Sequence, residues 1–128
     1  MIYLDSSVAL AHLFREPRTP DAALWDSPLV SSRLLEYELW TRLRARRPSG
    51  DADDAAHDLL SRVSLIELSP TVLARAKEPW PIEIRTLDAL HVATCLWLTQ
   101  HRQRVHLATW ARRMQEVAQA LGIPVAAL

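Results

Sequence analysis

The opening stretch, Met1-Ile2-Tyr3-Leu4-Asp5-Ser6-Ser7, sets an apolar run against an acid and two hydroxyls. Ile2-Tyr3-Leu4 has the bulk of a short buried strand. Asp5 ends it, and Ser6 or Ser7 can cap a helix that runs to about Phe14 and stops by Pro17. A strand that hands over directly to a helix is the building unit of a parallel sheet.

The alternation continues outward from that start. Leu29-Val30, Leu65-Ile66-Glu67-Leu68 and Val105-His106-Leu107 read as further strands. Ile123-Pro124-Val125 reads as a weak edge strand, because proline is confined to edges. Helices are expected between them. Pro20 starts one over 21–25. Ser31 and Ser32 open another that runs through Arg46, stopped by Pro48-Ser49-Gly50. Residues 51–63 carry acids in their first turn, as the helix dipole favours. Ser69-Pro70 puts proline at the first position of a helix that ends before Pro79-Trp80-Pro81. Over 86–101, Ala89, Leu90, Ala93, Leu96 and Trp97 repeat with the 3.6-residue helical period. The last helix spans 110–121 and closes at Gly122. The pattern predicts one α/β domain over 1–128, a parallel sheet with helices on both faces.

Composition narrows the function. Apolar residues make up 49% of the 128 and charged residues 23%, which supports a packed core and argues against disorder. Fifteen basic residues balance fifteen acidic ones, so no global positive field marks a non-specific nucleic-acid binder. A nuclease steered by a local patch stays open. Lys77 is the only lysine; the other cations are arginines, whose planar fork suits phosphate. Two glycines leave no glycine-rich phosphate loop. Cys95 is alone, so no internal disulfide forms. The start lacks a secretory signal pattern, and no apolar run nears the roughly 18 residues that span a bilayer. A cytoplasmic protein without membrane contact is expected.

Ligands of open parallel sheets bind beyond the carboxyl ends of the strands. Asp5 stands at such an end, either as a ligand or as a helix N-cap. Glu36 and Glu38 cannot share a helix face, being about 200° apart. On a helical wheel Glu38 falls between Leu34 and Leu35 at the border of the apolar arc, which favours it. Its alternative is a surface pair with Arg42. Asp88 lies in the first turn of the most apolar helix, as a ligand or as a complement to the dipole. Three converging carboxylates repel, and a divalent cation relieves them. Oxygen-only ligation suits Mg²⁺ or Mn²⁺, which can activate water against a phosphodiester.

Three stretches carry a family resemblance: residues 1–7, Ser31-Ser32-Arg33-Leu34-Leu35-Glu36-Tyr37-Glu38-Leu39 and Arg85-Thr86-Leu87-Asp88-Ala89-Leu90-His91-Val92-Ala93. With Met114 through Gly122-Ile123, they make the whole chain similar to PIN-domain ribonucleases, specifically VapC-type toxins of toxin–antitoxin pairs. The resemblance implies a PIN-like three-layer sandwich with a short, mostly parallel sheet flanked by helices. It implies a metal-dependent endoribonuclease with Asp5, Glu38 and Asp88 as catalytic and metal-binding acids. Ser6 and Thr109 would support them, with Mg²⁺ as cofactor and Mn²⁺ as an alternative. It also implies a VapB-type antitoxin, RNA as substrate and a homodimer. One departure stands out. The family often has a fourth acid two residues after a threonine, and here Thr109 is followed at that place by Ala111. Thr109 could still orient a metal-bound water. The departure motivates a second reading, a catalytically weak PIN-like module that binds antitoxin or RNA.

Other residues read more plainly. His91, three after Asp88, is expected to pack or hydrogen-bond rather than ligate. Neither His12, His57, His101 nor His106 shows paired metal spacing. Most of the five tryptophans should be core or interface residues, and the Arg42, Arg44, Arg46, Arg47 cluster a solvated face. A receiver-like phosphoacceptor is disfavoured because no lysine follows Lys77. A dehalogenase-like phosphatase is disfavoured because Ser7, not an acid, stands two residues after Asp5.

Overall fold

The computed structural model describes residues 1–47 and 50–128. Its strands are β1 (Ile2–Leu4), β2 (Leu29–Ser32), β3 (Val63–Ile66) and β4 (His106–Ala108). Its helices are α1 (Ser6–Leu13), α2 (Ala22–Asp26), α3 (Leu34–Arg46), α4 (Ala52–Ser61), α5 (Pro70–Ala76), α6 (Thr86–Gln100) and α7 (Arg112–Ala120). The strands form one parallel sheet in the order β3-β2-β1-β4. Pro48 and Ser49, part of the expected stop after α3, lie outside the described residues. No helix among the described residues is long and apolar enough to cross a membrane.

Strand alternation explains the layers. Side chains of a strand point to opposite faces in turn. Tyr3, Val30 and Leu107 therefore join one core with Val92, Cys95 and Leu98 of α6 and Met114, Val117 and Ala118 of α7. Leu4, Leu29, Val63 and Ala108 join a second core with Val8 and Ala9 of α1, Leu35 and Leu39 of α3 and Leu59 of α4. The sheet is thus covered on both faces, as expected for parallel strands.

The site's position follows from the strand order. β2 and β3 lie to one side of β1 and β4 lies to the other. The chain runs from β1 to β2 and β3 on one side and then crosses to β4 on the other, so the order reverses between β1 and β4, and a crevice opens at their carboxyl ends. Asp5 follows β1 and Thr109 follows β4 there.

Four expectations need correction. The helix after β1 is capped by Asp5 rather than Ser6 or Ser7: the carboxylate accepts from the Ser7 N–H at 3.2 Å. Ser31 and Ser32 belong to β2, where both are fully buried. Ser31 reaches the Leu4 carbonyl through its hydroxyl, and Ser32 accepts from the Leu34 N–H from inside the strand. β3 starts at Val63, two residues before the expected run, because Leu29 pairs with Val63 across the ladder. The expected edge strand at 123–125 reduces to a single parallel bridge, Leu107 to Val125.

Candidate functional site

Asp5 does two jobs at once. The residue is 2% exposed, and its Oδ2 accepts from the Ser7 N–H, the Ser7 hydroxyl at 2.7 Å and the Thr109 hydroxyl at 2.7 Å. Its Oδ1 is buried with no hydrogen-bond partner. The cap therefore uses one oxygen and leaves the other free. A buried carboxylate oxygen without a partner is costly, and a cation relieves that cost.

The turn after β4 is fastened to this acid. Ser7 Oγ donates to Asp5 and accepts from the Trp110 N–H at 2.9 Å. Thr109 Oγ1 donates to Asp5 and accepts from the Ala111 N–H at 3.0 Å. The Thr109 hydroxyl thus gives its hydrogen to Asp5 and one lone pair to the Ala111 amide.

Glu36 and Glu38 separate cleanly. Glu36 is on the surface, paired with Arg33 at 3.0 Å, and Arg33 also binds Glu67 at 2.6 Å. Glu38 turns inward. Its Oε2 accepts from the Ser6 hydroxyl at 3.0 Å, and its Oε1 lies 2.5 Å from His91 Nε2. Those partners, rather than Arg42, hold the carboxylate.

Asp88 sits in the first turn of α6, half-buried. Burial and the charges of Asp5 and Glu38 push its carboxyl above the usual range, against the pull of His91 and Arg85. Asp88 therefore feels both of the other predicted acids. Asp88 also lines an open cleft of 440 Å³ with Glu83, Ile84, Arg85, Ala111, Arg112 and Arg113.

His91 is fully buried between the two inner acids, with Nε2 3.9 Å from Asp5 Oδ1. Burial opposes its protonation, but the Glu38 hydrogen bond and the charges of Asp5, Glu38 and Asp88 outweigh burial and raise it. Its other nitrogen, Nδ1, lies 2.8 Å from the Tyr3 hydroxyl.

The donor set fits a hard cation, since it offers carboxylate oxygens and one of them lacks a partner. Among the described residues, no three His, Cys, Asp or Glu side chains converge tightly enough to enclose an ion directly. Mg²⁺ tolerates this, because it keeps several waters and reaches part of its ligands through them.

The sequence model for the PIN domain matches residues 2–119. The chain belongs to the PIN domain family. Ribonuclease VapC46 of Mycobacterium tuberculosis (strain ATCC 25618 / H37Rv) is 35% identical over 98% of this chain and 96% of its own. Ribonuclease VapC35 of the same species (strain CDC 1551 / Oshkosh) is 32% identical over 99% and 96%. The crystal structure of Mycobacterium tuberculosis VapC20, a sarcin-ricin loop cleaving toxin, superposes with a TM-score of 0.71 at 19% identity, covering both chains fully. A toxin–antitoxin complex from Klebsiella pneumoniae gives 0.66 at 13% identity, over 98% of this chain and 97% of the other. At these structural identities the likeness is one of fold.

This PIN domain also holds residues that sequence reading passed over. The sequence presents Ser7 only as a cap and Tyr3 only as strand core, and it leads to a packing or hydrogen-bonding His91 without naming the partner. Their partners lie 102, 88 and 53 residues away in the chain, for Ser7–Thr109, Tyr3–His91 and His91–Glu38. No local spacing encodes such contacts.

Proposed function

We propose that this chain is a metal-dependent endoribonuclease, the toxin of a VapBC-type toxin–antitoxin pair. The observation that carries it is the buried Asp5 carboxylate, with one unpartnered oxygen, beside Glu38 and Asp88 in a PIN domain. Asp5, Glu38 and Asp88 would hold Mg²⁺, with Mn²⁺ as an alternative. Such an ion supplies Lewis-acid polarisation of a phosphoryl oxygen and an activated water. Ser7 and Thr109 hold Asp5 in place, and Ser6 and His91 hold Glu38. Arg85, Arg112 and Arg113 line the cleft beside Asp88, where guanidinium forks can take the phosphates of a strand. In-line attack by water on the phosphodiester would leave 5′-phosphate and 3′-hydroxyl ends. A VapB-type antitoxin as partner, a homodimer and a cytoplasmic setting complete the reading. Its support is the naming of the relatives as ribonucleases and of one structural neighbour as a toxin–antitoxin complex. The test incubates RNA with Mg²⁺ or Mn²⁺ and compares wild type with Asp5→Asn and Asp88→Asn. Loss of cleavage in both variants is expected; equal cleavage by all three proteins sinks the assignment.

Ala111 favours a second reading, a module that binds antitoxin or RNA with little catalysis. It lines the cleft beside Asp88 and offers no ligand there. That reading expects tight complexes without metal-dependent cleavage, and activity that appears on Ala111→Asp.

A further inference from the structure

His91 and Tyr3 are fully buried polar groups on opposite elements, α6 and β1. The Ser32 backbone N–H of β2 donates to the Tyr3 hydroxyl at 3.1 Å. That hydroxyl meets His91 Nδ1 at 2.8 Å, and His91 Nε2 meets Glu38 Oε1 at 2.5 Å. A bare lone pair on Nε2 would face the carboxylate lone pairs at that distance. Nε2 therefore carries a hydrogen whether the ring is neutral or charged. In the neutral ring Nδ1 accepts from the Tyr3 O–H; in the charged ring it donates to the Tyr3 oxygen. Glu38 receives a donor in both cases.

Stability does not account for this relay. The neighbours of His91 on its helix, Val92, Ala93 and Cys95, are buried apolar or small residues. Apolar residues in place of a whole buried polar pair are often neutral or stabilising, so packing alone does not call for a relay here. The relay's distinct effect is on Glu38. With Ser6 on Oε2 and His91 on Oε1, the carboxylate plane is pinned from two elements. Without His91, Glu38 can turn to water or to Arg42 one turn along α3.

We infer that His91 is a positioning residue, orienting Glu38 toward the cation through a relay anchored on the Ser32 N–H and the Tyr3 hydroxyl. The inference rests on the metal-nuclease reading above. The test titrates Mn²⁺ into metal-free full-length protein and follows free Mn²⁺ by electron paramagnetic resonance. Outer partners of metal ligands typically contribute about 10–100-fold in affinity, so His91→Leu and Tyr3→Phe should weaken Mn²⁺ binding by that order. His91→Gln keeps an N–H near the place of Nε2 and should recover most of the loss. Thermal unfolding in EDTA shows whether each variant is folded, and Tyr3→Phe decides if His91→Leu is not. Wild-type Mn²⁺ affinity in folded Tyr3→Phe or His91→Leu overturns the inference. So does His91→Gln binding no better than a folded His91→Leu. If wild type binds Mn²⁺ and cuts RNA, Asp5→Asn does neither, and the relay variants bind normally, only the relay falls. A wild type that binds no Mn²⁺ overturns both.

Discussion

Replacing Thr109 with valine keeps the outline of a fully buried side chain and deletes one hydroxyl. That hydroxyl donates to Asp5 Oδ2 at 2.7 Å and accepts from the Ala111 N–H at 3.0 Å. A hydrogen bond to a charged group contributes about 1.5–3 kcal/mol. The stranded Ala111 amide adds to the loss, though water in the adjoining cleft relieves part of it. Together the cost is roughly 2–4 kcal/mol. For a chain of this length, that lowers Tm by roughly 7–15 °C. Circular dichroism melting in EDTA reads the effect with no metal contribution. Thr109→Ser keeps the hydroxyl and should lose much less. The alternative role, orienting a water, predicts a different result: cleavage falls while metal-free stability stays. A Thr109→Val melt within about 2 °C of wild type in EDTA, with cleavage lost, would refute the clasp on Asp5.

Three further outcomes are expected. Asp5→Asn removes the charge of a buried carboxylate whose Oδ1 has no partner, so its Tm in EDTA should exceed that of wild type. Mg²⁺ at about 100 times its Kd should add about 2.7 kcal/mol to wild type and nothing to this variant, as thermal shift would show. Glu36→Gln should cut RNA like wild type and Glu38→Gln should not, because Glu36 pairs with Arg33 on the surface while Glu38 faces Ser6 and His91. Burial and then Arg62 lower the pKa of His12, so the unfolded chain binds its proton more readily than the folded one. That term is absent above the unfolded value near 6.5 and destabilises the fold as pH drops below it. Urea melts from pH 8 to 5 should show the gap between His12→Gln and wild type widening in favour of the variant on acidification.

The sheet was legible where apolar runs end at an acid or a cap. β1, the proline-started α5 and the periodic α6 follow from local chemistry alone. β3 was harder, because Leu65-Ile66-Glu67-Leu68 is as apolar as a strand needs, yet register against β2 recruits Val63. Glu67 instead faces solvent with Arg33. Ser31 and Ser32 have the chemistry of helix caps, but partners on the neighbouring strand and in α3 keep them in β2. The positions of Asp5 and Glu38 were readable because a strand end and a helical wheel locate them, and that of Asp88 because it opens the apolar α6. Ser6 and Thr109 entered only through the family resemblance, and the contacts of Ser7, Tyr3 and His91 were not legible, because they act on residues brought close only by the fold.

The double clasp of Ser7 and Thr109 has an evolutionary side. It ties the backbone of residues 109–111 to Asp5, so position 111 rides on a turn already registered to the acid. Every alanine codon lies a single base from an aspartate or a glutamate codon. A further carboxylate at 111 would arrive on a finished mounting, with no loop to rebuild. On the metal-nuclease reading, the hold of this scaffold on metal could thus be raised in one mutational step, while the sheet and its two cores stay as they are.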